Sequence, residues 1–275
     1  MKRTIRLGIS TCPNDTFLFH AILEREIDLG DLEFEVELLD VQELNERLAR
    51  GDFDIAKGSF YCGLKLSAEL SILDCGSALG FGVGPLLLAT RTPKTPARVL
   101  CPGRFTTANL LYSLFHGDKG EPEQVVFSEI MPALEAGNAD LGVCIHEGRF
   151  TWKERGLDCV EDLGERWESA TSAPLPLGGI FVRKSLGSEL ASQVNDCLRA
   201  SLDWGLANRE ATLPTMSRYA QELEPAVVWS HVDLYVNEFT RSLGSVGREA
   251  LDALDREARR AGLLASDAPR LEIAS

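Results

Sequence analysis

Polar and apolar positions follow a regular order over the first part of the chain. Apolar side chains alternate with polar ones in residues 4–10 and 32–39, as is typical of strands, and a third apolar stretch covers residues 53–56. Residues 15–26 form a largely apolar segment, and residues 41–50 have the spacing of an amphipathic helix. The order strand, helix, strand, helix, strand predicts a parallel sheet.

A second unit of the same kind follows a glycine-rich stretch at residues 76–85. Its predicted elements are strands at residues 98–101, 125–127 and 141–145 and helices at residues 106–115 and 130–136. A repeated βαβαβ pattern predicts two α/β lobes, and ligands of such folds bind at the carboxyl ends of the strands. We therefore expect an α/β protein with two lobes joined by two crossover segments around a cleft.

The crossovers are placed by composition. An apolar strand at residues 86–89 and a proline-containing segment at residues 91–96 indicate where the chain leaves the first lobe, and residues 174–182 indicate where it returns. The expected lobes are residues 1–91 with 181–275, and residues 92–180.

The C-terminal part of the chain has helical spacing. From Gly187 onward one apolar stripe is formed by Leu190, Val194, Leu198, Leu202 and Leu206. A second long helix is predicted at residues 246–262. We expect these helices to pack on the first lobe.

The charge balance limits the partners. The 275 residues carry a net charge of -14, which disfavours nucleic acid and anionic membranes but is compatible with a small anionic molecule held by local amides or a lysine. The seven cysteines are scattered without a CxxC pair, as expected in a reducing compartment. No apolar run has the length of a signal peptide core or a membrane helix, so the sequence predicts a cytoplasmic protein.

His146 is the first candidate for chemistry. It follows the predicted strand at residues 141–145, whose carboxyl end would point into the cleft. Imidazole is suited to proton transfer near neutral pH, although a histidine at a strand end is often only a structural hydrogen-bond partner.

Three other groups follow predicted strands. Asn14 lies in the turn after the first strand, where it either caps a helix or faces the cleft. Lys57, Gly58 and Ser59 follow the third strand, where a lysine could pair with a carboxylate or simply lie at the surface. A helix opens with Thr106, Thr107 and Ala108, whose hydroxyls and amides could bind an anion.

Other side chains are assigned lesser roles. Arg104 either adds charge to the anion site or faces solvent. Structural roles are expected for Cys12, His20, His116 and His231. The chain has no GK[ST] ending, no GxGxxG after the first strand and no metal-ligand spacing, so no cofactor and no metal are expected.

Five blocks resemble the 1,4-dihydroxy-6-naphthoate synthase family of the futalosine route to menaquinone. They are CPNDTF at residues 12–17, ALGFGVGPL at 78–86, PGRFTTA at 102–108, IHEGRFT at 145–151 and PLPLGGI at 174–180, with further similarity at residues 231–237. The resemblance implies a periplasmic-binding-protein type II fold and conversion of cyclic dehypoxanthine futalosine to 1,4-dihydroxy-6-naphthoate. It implies that His146 accepts a proton and that residues 57–59 and 106–108 bind substrate.

The implied reaction needs no metal or redox partner. Neutral His146 would remove a proton from the sugar-derived part of the substrate, after which a carbon-carbon bond breaks and aromatisation drives the reaction. The sequence leaves open whether Lys57 or the helix start at Thr106 and Thr107 holds the substrate carboxylate. Because family members commonly carry a larger apolar residue at the position of Gly58, this glycine could alter the pocket.

Two alternative functions are considered. A non-catalytic solute-binding protein for a small anion would have the same fold, and so would chorismate dehydratase of the same pathway. The lack of a signal peptide disfavours the first, and the IHEGRFT block with its histidine disfavours the second.

Overall fold

The computed structural model describes residues 2–90, 94, 97–146, 148–220 and 224–274. Within them the strands form one sheet of seven and one of five. The first sheet contains β1 (Arg3–Ser10), β2 (Leu32–Leu39) and β3 (Ile55–Ser59), and β1 lies between the other two and parallel to both. This arrangement confirms the order of the first βαβαβ unit. Strand β3 lies later than predicted, however, and includes Lys57, Gly58 and Ser59, which were expected to follow it.

The connecting helices are α1 (Pro13–Leu23), α2 (Val41–Arg50) and α3 (Phe60–Lys65). Helix α1 begins two residues before its predicted start, because the fixed φ of Pro13 suits the first helical position. Asp40 caps α2 by accepting a hydrogen bond from the Gln42 amide.

The second sheet repeats this arrangement. Strand β7 (Val99–Cys101) lies between β8 (Glu123–Gln124) and β9 (Leu141–Cys144), parallel to both. The antiparallel strands β6 (Leu86–Ala89) and β10 (Asp158–Asp162) complete the sheet. Its helices are α4 (Thr107–His116), α5 (Phe127–Glu135), α6 (Gly148–Thr151) and α7 (Leu163–Thr171).

The predicted strand at residues 125–127 is wrong. The strand is β8, and Phe127 already begins α5. Because β8 is a short edge strand with exposed side chains, the apolar residues after it mark the helix start rather than the strand.

Strand β6 was assigned to the wrong side of the first crossing. It pairs with β9 and β10 in the second sheet, so the chain crosses at residues 81–85 and not after β6. An entirely apolar strand fits the middle of either sheet, so its composition does not decide between them. The predicted segment 91–96 lies outside the described residues except for Lys94.

The return crossing precedes β11 (Leu175–Arg183), which belongs to the first sheet together with β4 (Leu70–Ile72) and β5 (Ala78–Gly80). Strand β11 runs antiparallel to β5, so the two crossings lie side by side. The expected lobe boundary at residue 91 therefore comes too late in the chain, because β6 already belongs to the second sheet, while the boundary at residue 180 stays a prediction.

The C-terminal helices pack on the first sheet, as predicted. They are α8 (Ser188–Ala207), α9 (Arg209–Tyr219), α10 (Pro225–Tyr235), α11 (Glu238–Arg241) and α12 (Gly244–Arg260). Helices α8, α9 and α10 pack against α1, and α12 packs against β11. The apolar stripe of α8 is buried except for Leu206 near its end, and β12 (Glu272–Ile273) then pairs with β4.

The first crossing is held closely against α7. Arg149 donates one hydrogen bond to the Gly84 carbonyl and another to Asp162, whose other carboxylate oxygen caps α7. Gly84 packs directly on the backbone of Gly164. A Cβ added to Gly84 would lie 2.5 Å from the Gly164 nitrogen. The crossing therefore has no room for a side chain at this position.

We expect Gly84→Ala to destabilise the protein by at least about 1–3 kcal/mol, because the added carbon meets backbone that cannot move aside cheaply. Gly117→Ala is the control, since nothing lies within 4 Å of its Cβ position. Urea unfolding of both variants measures the difference. Equal midpoints for the two variants would contradict this account of the crossing.

Candidate active site

A cavity opens between the two sheets. Its walls contain all of the residues predicted from the sequence: Asn14, Lys57, Gly58, Ser59, Thr106, Thr107, Ala108 and His146. The first sheet contributes the ends of β1 and β3, and the second contributes the end of β9 and the start of α4. The cleft thus lies where the carboxyl ends of the parallel strands meet.

His146 follows β9 in a left-handed backbone conformation, with φ of 54°. Such a conformation costs on the order of 1–3 kcal/mol for a residue other than glycine, and it persists only where the surroundings enforce it. Cys12 Sγ lies 3.2 Å from Nδ1, and the Phe127 ring packs edge-on at 4.9 Å. Cys12 is buried, as expected, but it directly contacts the candidate base.

The imidazole of His146 is held neutral. Burial lowers its pKa to about 4; the carboxylate of Asp15 acts in the opposite direction, and the charge of Lys57 lowers it further. A neutral imidazole at neutral pH can accept a proton without first losing one.

Lys57 is not a surface lysine, because its ammonium forms a buried ion pair with Asp15. The Nζ atom lies 2.5 Å from Asp15 Oδ1, and both residues are buried. Ser10 donates a hydrogen bond to Asp15 Oδ2 at 2.6 Å, and Asn14 Nδ2 donates to Oδ1 at 3.0 Å. The sequence analysis did not include Asp15 among the site residues, although its position after β1, the strand beside β3, could have suggested the pair.

At the start of α4 the two hydroxyls of the predicted cradle already have hydrogen-bond partners, whereas two of its amides do not. Thr106 Oγ1 donates to the Gly103 carbonyl and accepts from the Asn109 amide, while Thr107 Oγ1 donates to the Leu177 carbonyl at 2.8 Å. The backbone amides of Thr107 and Ala108 have no hydrogen-bond acceptor among the described residues. These two amides, at the positive end of the helix, are the groups suited to an anion.

Arg104 does not take part in this site. Its side chain is exposed, and its guanidinium lies over the Phe105 ring at 5.6 Å. Of the two alternatives for this arginine, the structure favours the solvent-facing one.

His231 is a second site residue that the sequence analysis did not assign to the site. It was expected to be structural, but it lines the cavity from α10, and its Nε2 lies 2.9 Å from Asn14 Oδ1. Burial, with smaller contributions from His146 and Lys57, lowers its pKa well below the ordinary value. The similarity block at residues 231–237, which begins with this histidine, was the one signal in the sequence.

His20 and His116 do have structural contacts. His20 Nδ1 lies 2.9 Å from Thr215 Oγ1, and His116 Nε2 lies 2.6 Å from Glu161 Oε2. Neither residue lines the cavity.

Gly58 faces the protein core as well as the cavity. A Cβ added there would lie 3.0 Å from Leu48 and 3.2 Å from both Asn45 Oδ1 and Phe181. A larger residue would therefore press on α2 and β11 and would change the pocket only indirectly.

Among the described residues, no cluster of three or more His, Cys, Asp or Glu side chains could hold a metal ion. In the same ranges no helix has the length and apolar composition needed to cross a membrane.

Two mixed sheets around a cleft, joined by two adjacent crossings, define a periplasmic-binding-protein-like fold. The alkanesulfonate-binding protein from Xanthomonas axonopodis pv. citri, solved with bound MOPS, matches with a TM-score of 0.69 over 100% of this chain and 98% of its own, at 14% identity. That similarity concerns the fold alone. A protein from Archaeoglobus fulgidus matches with a TM-score of 0.90 and 29% identity over 95% of this chain and 98% of its own.

Comparison of the sequence with known families identifies the family more narrowly than the fold does. The profile described as menaquinone biosynthesis matches residues 5–260, so the chain belongs to the menaquinone biosynthesis family. A relative from Streptomyces coelicolor is 38% identical over 97% of this chain and 96% of its own, and one from Thermus thermophilus is 39% identical over 97% of both. Both relatives are named 1,4-dihydroxy-6-naphtoate synthase. These matches confirm the resemblance.

We expect Lys57→Met to destabilise the protein by about 3–5 kcal/mol, because it leaves the Asp15 carboxylate buried without its cation. Adding Asp15→Asn to Lys57→Met should recover part of this loss, since no charge is then buried. Urea unfolding of the single and double variants gives the coupling energy.

Lys184→Met is the matched control for the ion pair. Lys184 pairs with Glu272 at the surface, and its loss should change stability by less than about 0.5 kcal/mol. If Lys57→Met were as mild as this control, the buried pair would not stabilise the site.

Proposed function

We propose that this protein is a 1,4-dihydroxy-6-naphthoate synthase that acts as a carbon-carbon lyase on cyclic dehypoxanthine futalosine. The observation that carries the proposal is the neutral, half-buried imidazole of His146 in the wall of an anion-compatible cleft. Family membership and the names of the two relatives support the same activity.

The proposed role of His146 is that of the base. Its neutral nitrogen accepts a proton from the sugar-derived part of the substrate, and the electron pair left on the substrate drives cleavage of a carbon-carbon bond. Asp15 favours the imidazolium that forms, and Lys57 disfavours it. Aromatisation of the ring system supplies the driving force.

We assign the substrate carboxylate to the start of α4. Lys57 already pairs with Asp15, so its charge is compensated before any ligand enters. The Thr107 and Ala108 amides point outward from the helix start and are without acceptors among the described residues. Lys57, Gly58 and Ser59 would then form the opposite wall of the substrate site and hold its shape.

The cleft lies between two sheets, and this position supports a role in the reaction for closure of the cleft. Movement of one sheet toward the other would exclude water and align the substrate with His146. A cytoplasmic location and the exclusion of nucleic acid as a partner stay predictions from the sequence.

The first test is turnover of cyclic dehypoxanthine futalosine by the purified protein, following the naphthoate product. We expect His146→Asn to lose at least about 100-fold in kcat, in the range typical for a general base, while remaining folded, because asparagine tolerates the left-handed conformation. No turnover by the unaltered protein would refute the synthase, and binding without turnover would support a solute-binding protein. Turnover of a different substrate of the pathway, as by chorismate dehydratase, would also refute it.

The pH dependence of kcat/KM tests the protonation state of the base. The neutral form is active, and burial lowers the pKa of His146 to about 4, so activity should persist well below pH 6.5 and fall only as the pH approaches that value of about 4. The unfolded chain binds a proton at this histidine from about pH 6.5, so stability should decrease over the same interval as the pH falls. Circular dichroism at each pH separates unfolding from titration. An acid limb at or above pH 6.5 would contradict a neutral buried base.

A further inference from the structure

His231 has one ring nitrogen that the protein leaves unused. The side chain is 1% exposed, and its Nε2 contacts Asn14 Oδ1 at 2.9 Å. Its Nδ1 is buried and has no hydrogen-bond partner within the described ranges. Buried polar atoms are nearly always paired, so an unpaired acceptor in the wall of a cavity is suited to a hydrogen-bond donor on a bound molecule.

The hydrogen bonds around Asn14 determine where the proton of His231 lies. Asn14 Nδ2 donates to Asp15 Oδ1, so the amide oxygen of Asn14 faces the histidine. An amide oxygen only accepts hydrogen bonds, and Nε2 must therefore carry the proton. A neutral imidazole has a single N–H, so Nδ1 is left as a bare acceptor.

The ring itself is fixed close to the candidate base. The His231 ring lies 6.3 Å from the His146 ring, and the two planes differ by 21°. Tyr235 packs against His231 at 4.5 Å, and Phe150 lies at 6.2 Å. One bound molecule can therefore contact both imidazoles.

We propose that His231 is a substrate-binding residue whose Nδ1 accepts a hydrogen bond from a hydroxyl group of the substrate. The contact orients the hydroxyl-bearing part of the substrate against His146. This inference rests on the proposed function for its substrate, whereas the tautomer on which it depends is a property of the free protein.

Two amide variants separate this role from a purely structural one. In His231→Asn the amide occupies the place of Nδ1, so an acceptor is kept there while the contact with Asn14 is lost. In His231→Gln the amide reaches the place of Nε2, so the contact with Asn14 is kept while the acceptor at Nδ1 is lost. We expect kcat/KM to fall about 10- to 100-fold in His231→Gln and to fall less in His231→Asn.

The reverse order would overturn the proposal, that is, kcat/KM of His231→Gln close to that of the unaltered protein and no activity in His231→Asn. His231 would then only position Asn14 through their hydrogen bond. Thermal unfolding of both variants checks that they are folded. His116→Gln changes a histidine that does not line the cavity, so it is the control and should leave kcat/KM unchanged.

Nitrogen NMR of the unaltered protein tests the tautomer without any activity. The chain has four histidines, and spectra of His146→Asn and His231→Asn assign the two signals of the site. We expect a protonated Nε2 and an unprotonated Nδ1 at His231, and a shift of the Nδ1 signal when cyclic dehypoxanthine futalosine is added. A proton on Nδ1 in the free protein would overturn the inference. Absence of turnover with the expected tautomer would instead count against the proposed function.

Discussion

The arrangement of the cavity depends on the buried ion pair between Asp15 and Lys57. It joins the first turn of α1, which follows β1, to β3, the strand next to β1 in the first sheet. Burial of two charges is costly, and here the carboxylate also accepts hydrogen bonds from Ser10 and Asn14, which offset part of that cost. Because Asn14 gives its amide group to this carboxylate, its oxygen is directed to His231. One interaction thus fixes the polar groups along a whole wall of the cleft.

The same pair explains how an acidic protein can bind an anion. The net charge of -14 repels anions at long range, and inside the cavity the charge of Lys57 is cancelled by Asp15. Both histidines are neutral there, since burial lowers the pKa of each. The remaining attraction comes from the unpaired amides and the dipole of α4, which act over a few ångströms. Selectivity would then follow from close contact rather than from the overall field.

The predictable part of the site consists of residues at the ends of strands, or in the loops and helix starts that follow them, in the two repeated units. His146, Lys57 and Thr107 were found because alternation of side chains locates the strands, and the carboxyl ends of parallel strands share one edge. His231 was not predicted as a site residue because it lies in a C-terminal helix. The spacing of apolar residues in a helix indicates which side chains are buried but not which neighbours they contact. Strand β6 was assigned to the wrong sheet for a related reason, since a uniformly apolar strand fits either sheet. What could not be predicted is the tertiary arrangement, that is, which helices and strands contact one another.

The backbone at His146 shows what the placement of a base requires. The chain must turn from β9 into α6 within a few residues, and a left-handed residue makes that turn while directing the ring toward Cys12. Glycine would relieve the strain but would bring no imidazole, so the conformation is retained at the expense of local stability. The Phe127 ring and the Cys12 thiol pack on the imidazole and hold it in this position. The strain is therefore balanced by packing from both sheets, which ties the geometry of the base to the way the two sheets face each other.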